Sequence, residues 1–217
     1  MARNLDTKCK LCRREGRKLF LKAYRCSTPK CPIEKKGAVV PGMHGQKRKG
    51  KISDFGRQMR EKQKVRRIYW ISERQLRKYF TDTKKKIFSL RKTKNTQIGG
   101  AGENLLRCLE TRLDSVIFRA GFAPSRLVAR QLVNHGQIQV NGKKLNIPSF
   151  QLKKDQVVTI SSKGLEIPSL KSFLEKKIIP PKWLEKKGAA VRMIRLPERK
   201  EMDIDIDEQL IIEFYSK

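Results

Sequence analysis

Five cysteines are the residues best able to do chemistry in this 217-residue chain, and four of them are spaced for it. Cys9 and Cys12 stand as C-x2-C, thirteen residues separate Cys12 from Cys26, and four separate Cys26 from Cys31. Two close pairs of thiolates can surround one Zn²⁺ tetrahedrally at about 2.3 Å each. Four cysteines are also the ligand set of an iron–sulfur cluster, and free thiols are a third reading. Structural Zn²⁺ is the expectation, because a segment too short for its own core gains most from a metal. A catalytic metal is not expected, since four cysteines leave no open position. Lys8, Lys10, Arg13, Arg14, Lys22, Arg25 and Lys30 would offset the negative charge of such a centre. No secretory leader is visible, so a reducing compartment is expected, where thiolate ligands prevail over disulfides. Cys108 lies beside an apolar helix face and reads as a small core residue. His44 reads as a loop hydrogen-bonding residue, since four thiolates already complete the site.

A second constellation is cationic. Arg112, Ser115 and Arg119 fall on one stripe of a helix, and Arg126, Arg130 and Asn134 recur every four residues on another. Ser125 stands at the start of that second helix, and Lys143 and Lys144 follow a turn. Fixed cations together with amide and hydroxyl donors suit structured RNA, where shape, phosphate and 2′-OH contacts dominate. The competing reading is a small domain with a solvated charged face.

Composition favours the polyanion. Lys and Arg total 52 against 21 acidic residues, a formal charge of +31. That much positive charge repels itself in a folded chain and needs a partner. DNA, RNA and an anionic membrane are the candidates. The membrane is least expected, because no long apolar run or amphipathic anchor occurs.

These residues need elements to position them. Leu109, Leu113, Val116, Ile117 and Ala120 repeat at helical spacing, which predicts one long helix from Glu103 that ends at Gly121. Leu127, Val128, Leu132 and Val133 give the next helix its apolar face. The period then changes to two at Ile138 and Val140, Asn141-Gly142 closes a hairpin, and 156–160 reads as a further strand. Upstream, 37–51 reads as a Gly-rich linker whose Lys47, Arg48 and Lys49 could order against phosphate. Ser53 caps a helix reaching about Tyr69 that carries Arg60, Lys64, Arg66 and Arg67. Ser72 with Gln75 opens another helix, whose Tyr79 and Phe80, with Tyr69 and Trp70, read as core more than as base-stacking rings. Residues 84–102 read as irregular and basic. After Ile160 the chain reads as returning to the first domain through a short helix at 169–177, a strand at 189–196 and a helix opened by Asp205 with Glu208. The acidic residues of 198–213 are expected to pair with the protein's own cations.

The unit 107–160 resembles the small RNA-binding module named after ribosomal protein S four. R-L-D (112–114), F-A-P-S-R (122–126), A-R-Q-L-V-N-H-G (129–136) and V-N-G (140–142) carry the resemblance. It extends to both ends of the chain through M-A-R-N-L-D-T-K-C-K-L-C-R-R-E-G (1–16), P-G-M-H-G (41–45), R-E-K-Q-K-V-R-R-I-Y (60–69), S-E-R-Q (72–75), G-E-N-L-L (102–106) and E-Q-L-I-I-E-F-Y-S-K (208–217). The whole chain is thus similar to the bacterial-type small-subunit ribosomal protein S four family.

That resemblance implies an α+β fold: an N-terminal zinc-binding arm and linker (1–45), a helical domain (46–106 with 169–217), and an inserted RNA-binding module (107–168) of two helices on a small antiparallel sheet. It implies a non-enzymatic constituent of the small ribosomal subunit. Such a protein binds the 5′ domain of small-subunit rRNA early in assembly, contacts neighbouring small-subunit proteins, and lies near the mRNA entry path, where it supports accuracy. Translational autoregulation occurs in some members. No membrane partner and no homo-oligomer are implied, and the location is cytoplasmic and ribosome-bound, in a bacterium or an organelle. Some members carry the four-cysteine zinc site, and here Cys9, Cys12, Cys26 and Cys31 match it. Two departures stand out: Trp70 replaces a frequent glycine, and 84–100 is longer than usual. Two alternatives are a pseudouridine synthase, whose R-L-D motif belongs to a separate catalytic domain with no room here, and a zinc-dependent DNA-binding regulator.

Overall fold

Ser53 shows how the local code works in this chain. Its hydroxyl accepts the N–H of Gly56 at 3.2 Å and opens a fifteen-residue helix. In the computed structural model, which describes residues 7–47, 50–92, 100–174, 178–202 and 205–216, the chain divides into two compact units. One is Met1–Ser72 with Ile206–Lys217, and the other is Glu73–Asp205.

The first unit is helical. α1 (Lys8–Glu15), α2 (Ala23–Cys26) and α3 (Pro32–Lys36) form the arm, followed by α4 (Asp54–Ile68). Gly16, at φ +70°, ends α1 in the left-handed region that favours glycine. The C-terminal helix, α11 (Glu208–Ser216), packs on α4. Val65 and Ile211 are fully buried there, Phe55 stacks on Phe214 at 5.7 Å, and Lys62 Nζ lies 4.1 Å from the Phe214 ring centre. The cap of α11 is Asp207, whose Oδ1 accepts the Gln209 N–H at 3.0 Å, in place of the expected Asp205. Trp70 adopts φ +53°, which accounts physically for a position where glycine is at home.

The second unit is α+β. It runs α5 (Glu73–Lys92), α6 (Ala101–Glu110), α7 (Leu113–Arg119), α8 (Arg126–Asn134), β1 (Ile138–Val140), β2 (Lys143–Lys144), β3 (Val157–Ile160), α9 (Ser162–Leu165), α10 (Pro168–Leu174), β4 (Leu184–Lys187) and β5 (Ala190–Met193), then a 3-10 turn at Arg199–Glu201. The strands form one antiparallel sheet in the order β2-β1-β3-β5-β4. Asn141 and Gly142, at φ +48° and +77°, make the tight turn between β1 and β2. Leu113, Val116, Ile117, Leu132, Val133, Ile138, Val158, Trp183 and Val191 build one core between the helices and the sheet. Each large side chain buried this fully contributes about 1.5–3 kcal/mol.

Three further expectations are corrected. The long helix breaks at Thr111 and Arg112. Arg112 is extended (φ −64°, ψ 142°) and bridges Gln151, and the Leu113 N–H donates to the Phe150 carbonyl at 2.9 Å. Tertiary backbone pairing overrides a helical repeat that runs straight through the break. The basic run beyond Lys84 is helical as far as Lys92, because α5 does not stop there. Lastly, the chain after Ile160 does not return at once: 184–193 forms a hairpin that lengthens the module's sheet, and the return is made at Ile206–Lys217.

Candidate nucleic-acid interface

α7 and α8 pack against each other and bring the predicted cations onto one face of the second unit. Ser125 is buried and caps α8, accepting the Val128 N–H at 3.3 Å, so its hydroxyl is committed to the helix. Arg119 makes a two-pronged bond to Glu110, with Nε and Nη2 each donating at 3.0 Å. From α8, Arg126 Nη2 donates to the same carboxylate at 3.0 Å, its Nε to Ser115 Oγ at 3.3 Å, and its guanidinium lies 4.6 Å from the Phe118 ring centre. Arg130 pairs with Asp114 at 3.0 Å. Burial holds the Arg130 pKa below its ordinary value, with Asp114 offsetting only part of the drop. The side chains of Arg119, Arg126 and Arg130 keep 15%, 12% and 21% of their surface open to solvent.

Arg112 differs from these three. It is fully buried, donating from Nε and Nη2 to the two Asp114 oxygens at 3.0 and 2.8 Å and from Nη1 to the Tyr79 hydroxyl at 2.6 Å. Desolvation opposes its charge, but Asp114 and Tyr79 raise its pKa overall. As placed, Arg112 organises the face from beneath and presents no surface to a ligand. Asn134, Lys143 and Lys144 are exposed.

In the first unit Arg60 and Arg67 both reach Glu15, whose side chain is 2% exposed, Arg60 at 3.4 Å. Burial raises the Glu15 pKa, and Arg67 and Arg60 oppose the rise. Lys64 is buried beside Glu61, Arg66 is half-buried, and Lys47 is exposed. Arg48 and Lys49 lie outside the described residues. Glu15 and Glu110 went unnoticed in the sequence, and Asp114 stood out only as part of R-L-D, with no sign of its role as an anchor. The signal the three share is an acidic residue standing inside or next to a cation-rich helix, a pattern shared by ordinary surface ion pairs.

The four cysteines of the arm meet at one small pocket of about 10 Å³, lined also by Leu21, Lys22 and Pro32. Cys12, Cys26 and Cys31 are buried. The Lys22 N–H points at Cys26 Sγ at 3.3 Å, as it would toward a thiolate. Burial pushes the Cys12 thiol up to about 11, and repulsion from Cys26, Cys9 and Cys31 adds to that. The donor set therefore suits a thiophilic cation in kind. As placed, among the described residues no three Cys, His, Asp or Glu side chains form a group able to hold a metal ion.

The family described as "Ribosomal protein S4/S9 N-terminal domain" matches residues 3–110, and the one described as "S4 domain" matches 111–158. Relatives match over the whole of both chains. Proteins named small ribosomal subunit protein uS4 from Natranaerobius thermophilus and Pelotomaculum thermopropionicum are each 47% identical, and that of Thermodesulfovibrio yellowstonii is 48% identical.

Proposed function

Because the chain belongs to the small ribosomal subunit protein uS4 family, we propose that it is a structural, non-catalytic constituent of the small ribosomal subunit that binds folded small-subunit rRNA. One observation supports this most: Arg119, Arg126 and Arg130 share a face, held by buried carboxylates yet still open to a ligand. Such a face offers guanidinium forks to phosphate oxygens. The exposed Lys143 and Lys144 add point charges nearby in the chain, at the tip of the hairpin. The finer reading is that the rRNA site is the 5′ domain, engaged early in assembly. Neighbouring small-subunit proteins and mRNA at the entry path complete the surroundings, with a contribution to accuracy, and repression of the protein's own mRNA, a property of some members of the family, would use the same face.

In this reading one Zn²⁺ is held by Cys9, Cys12, Cys26 and Cys31 and supplies a structural cross-link to the arm. The convergence of the four thiols on one pocket supports it. Binding requires the sulfurs to draw inward and Cys12 to give up its proton, which the ion's own charge favours.

A competition assay tests the main reading. Purified protein is offered a transcribed 5′-domain fragment of small-subunit rRNA against an equal mass of duplex DNA. Preference for the rRNA is expected. Preference for the duplex would replace the reading with that of a DNA-binding protein.

A further inference from the structure

Glu110 and Asp114 are acidic residues set beneath the arginines of α7 and α8, 1% and 3% exposed. Coulomb's law alone makes them a hindrance to binding a polyanion. We infer that they are positioning residues for RNA recognition: they hold Arg119, Arg126 and Arg130 in set directions, so that folded RNA meets a rigid array of guanidinium groups. This rests on the reading that the face binds rRNA.

The geometry carries the assignment. Glu110 lies at the end of α6, Asp114 and Arg119 on α7, and Arg126 and Arg130 on α8. The Glu110 carboxylate thus ties two guanidiniums from different helices to one point, with Arg119 bonded in two-pronged fashion. Arg126 is further gripped by Ser115 Oγ and the Phe118 ring. A guanidinium has five N–H donors in a planar fork. On side chains that are 12–21% open, part of that fork stays within reach of a phosphate. A mobile arginine loses rotamer freedom when RNA binds, whereas one already fixed has lost it on folding. Pre-setting also selects: a folded backbone that matches the array gains, and a flexible strand that can adapt to any array does not.

The charge of Glu110 makes the test a clean one. Glu110→Gln raises the net positive charge, so simple electrostatics expects tighter binding to every polyanion. Full-length wild type and variant are titrated with the 5′-domain rRNA fragment and with poly(U), and thermal melting checks folding. The expected result is a loss on the order of tenfold for the rRNA fragment, with poly(U) binding unchanged or tighter. Should Glu110→Gln fail to fold, Ser115→Ala, which removes one grip on Arg126, is expected to weaken rRNA binding by a smaller factor in the same direction. Glu110→Gln, or Ser115→Ala in its place, binding the rRNA fragment as tightly as wild type or tighter would overturn the inference. A wild type that does not bind the fragment at all would instead sink the functional reading beneath it, and the inference with it.

Discussion

Arg112 and Asp114, two residues apart, face each other in a fully buried, two-pronged ion pair with N–O distances of 3.0 and 2.8 Å. The extended backbone at Arg112 makes this possible, because a continuous helix would point the two side chains apart. Asp114 then also receives Arg130 from α8, so the pair joins the helix break to the cationic face.

Losing Arg112 therefore costs stability before it costs binding. Arg112→Met leaves a buried carboxylate with one partner fewer, which costs about 3–5 kcal/mol. Urea unfolding should show that loss, and adding Asp114→Asn should recover part of it. Unchanged stability in Arg112→Met would show the pair to be incidental.

Gly121 ends α7 at φ +69°, and a Cβ there would lie 2.8 Å from Ile178 Cβ. Left-handed strain and overpacking act together, so Gly121→Ala should destabilise the second unit by about 2–3 kcal/mol. A thermal melt with an unshifted midpoint would mean that the turn relaxes freely.

The arm should take up one equivalent of zinc, lost in Cys26→Ser. The metal-free Cys12 thiol is held at about 11 by burial and by its sulfur neighbours. Protons must therefore leave on binding, and apparent zinc affinity should rise with pH. Calorimetry in buffers of different ionisation heat reads the proton release. Metal analysis finding no zinc would refute the site, and pH-independent affinity would remove the thiols from it.

At the edge of the module Arg192 Nη2 donates to Asp155 Oδ1 at 2.5 Å, and that bond lowers the Asp155 pKa from its ordinary value. A depressed carboxylate pKa means stability that is fully present above the unfolded value of about 3.9 and lost as pH falls through the folded one. The melting-temperature gap between wild type and Asp155→Asn should be steady at neutral pH and change as acid protonates Asp155. A gap that ignores pH would exclude the ion pair as its source. The effect is small, since both side chains are more than half exposed.

Most local signals in the sequence translated directly into structure, the cap expected at Asp205 and found at Asp207 being an exception. Ser53 and Ser125 cap the helices they precede, and Asn141-Gly142 turns the hairpin it suggests. What failed to show was mostly non-local. Leu109, Leu113 and Val116 keep helical spacing across a break made by pairing with 150–152. β4 reads L-E-K-K, with little β character of its own, and exists because β5 pairs along it. A lysine run looks like a loop, yet 84–86 continue α5. Charge and spacing placed Arg119, Arg126 and Arg130 on helix stripes that the fold brings to one face, but gave no sign that Arg112 is buried. Their carboxylate anchors were not legible, because burial alone separates Glu110 from an ordinary surface glutamate.

The salt dependence of rRNA binding tests the central claim most directly. Affinity for the 5′-domain fragment is measured across a range of salt for wild type and for Arg119→Gln with Arg126→Gln. For wild type, log K should fall linearly with log salt, and the double variant should lower the slope by about two, one for each lost phosphate contact. A wild-type affinity indifferent to salt, or a slope that the double variant leaves intact, would contradict the claim that these arginines lie against the RNA backbone.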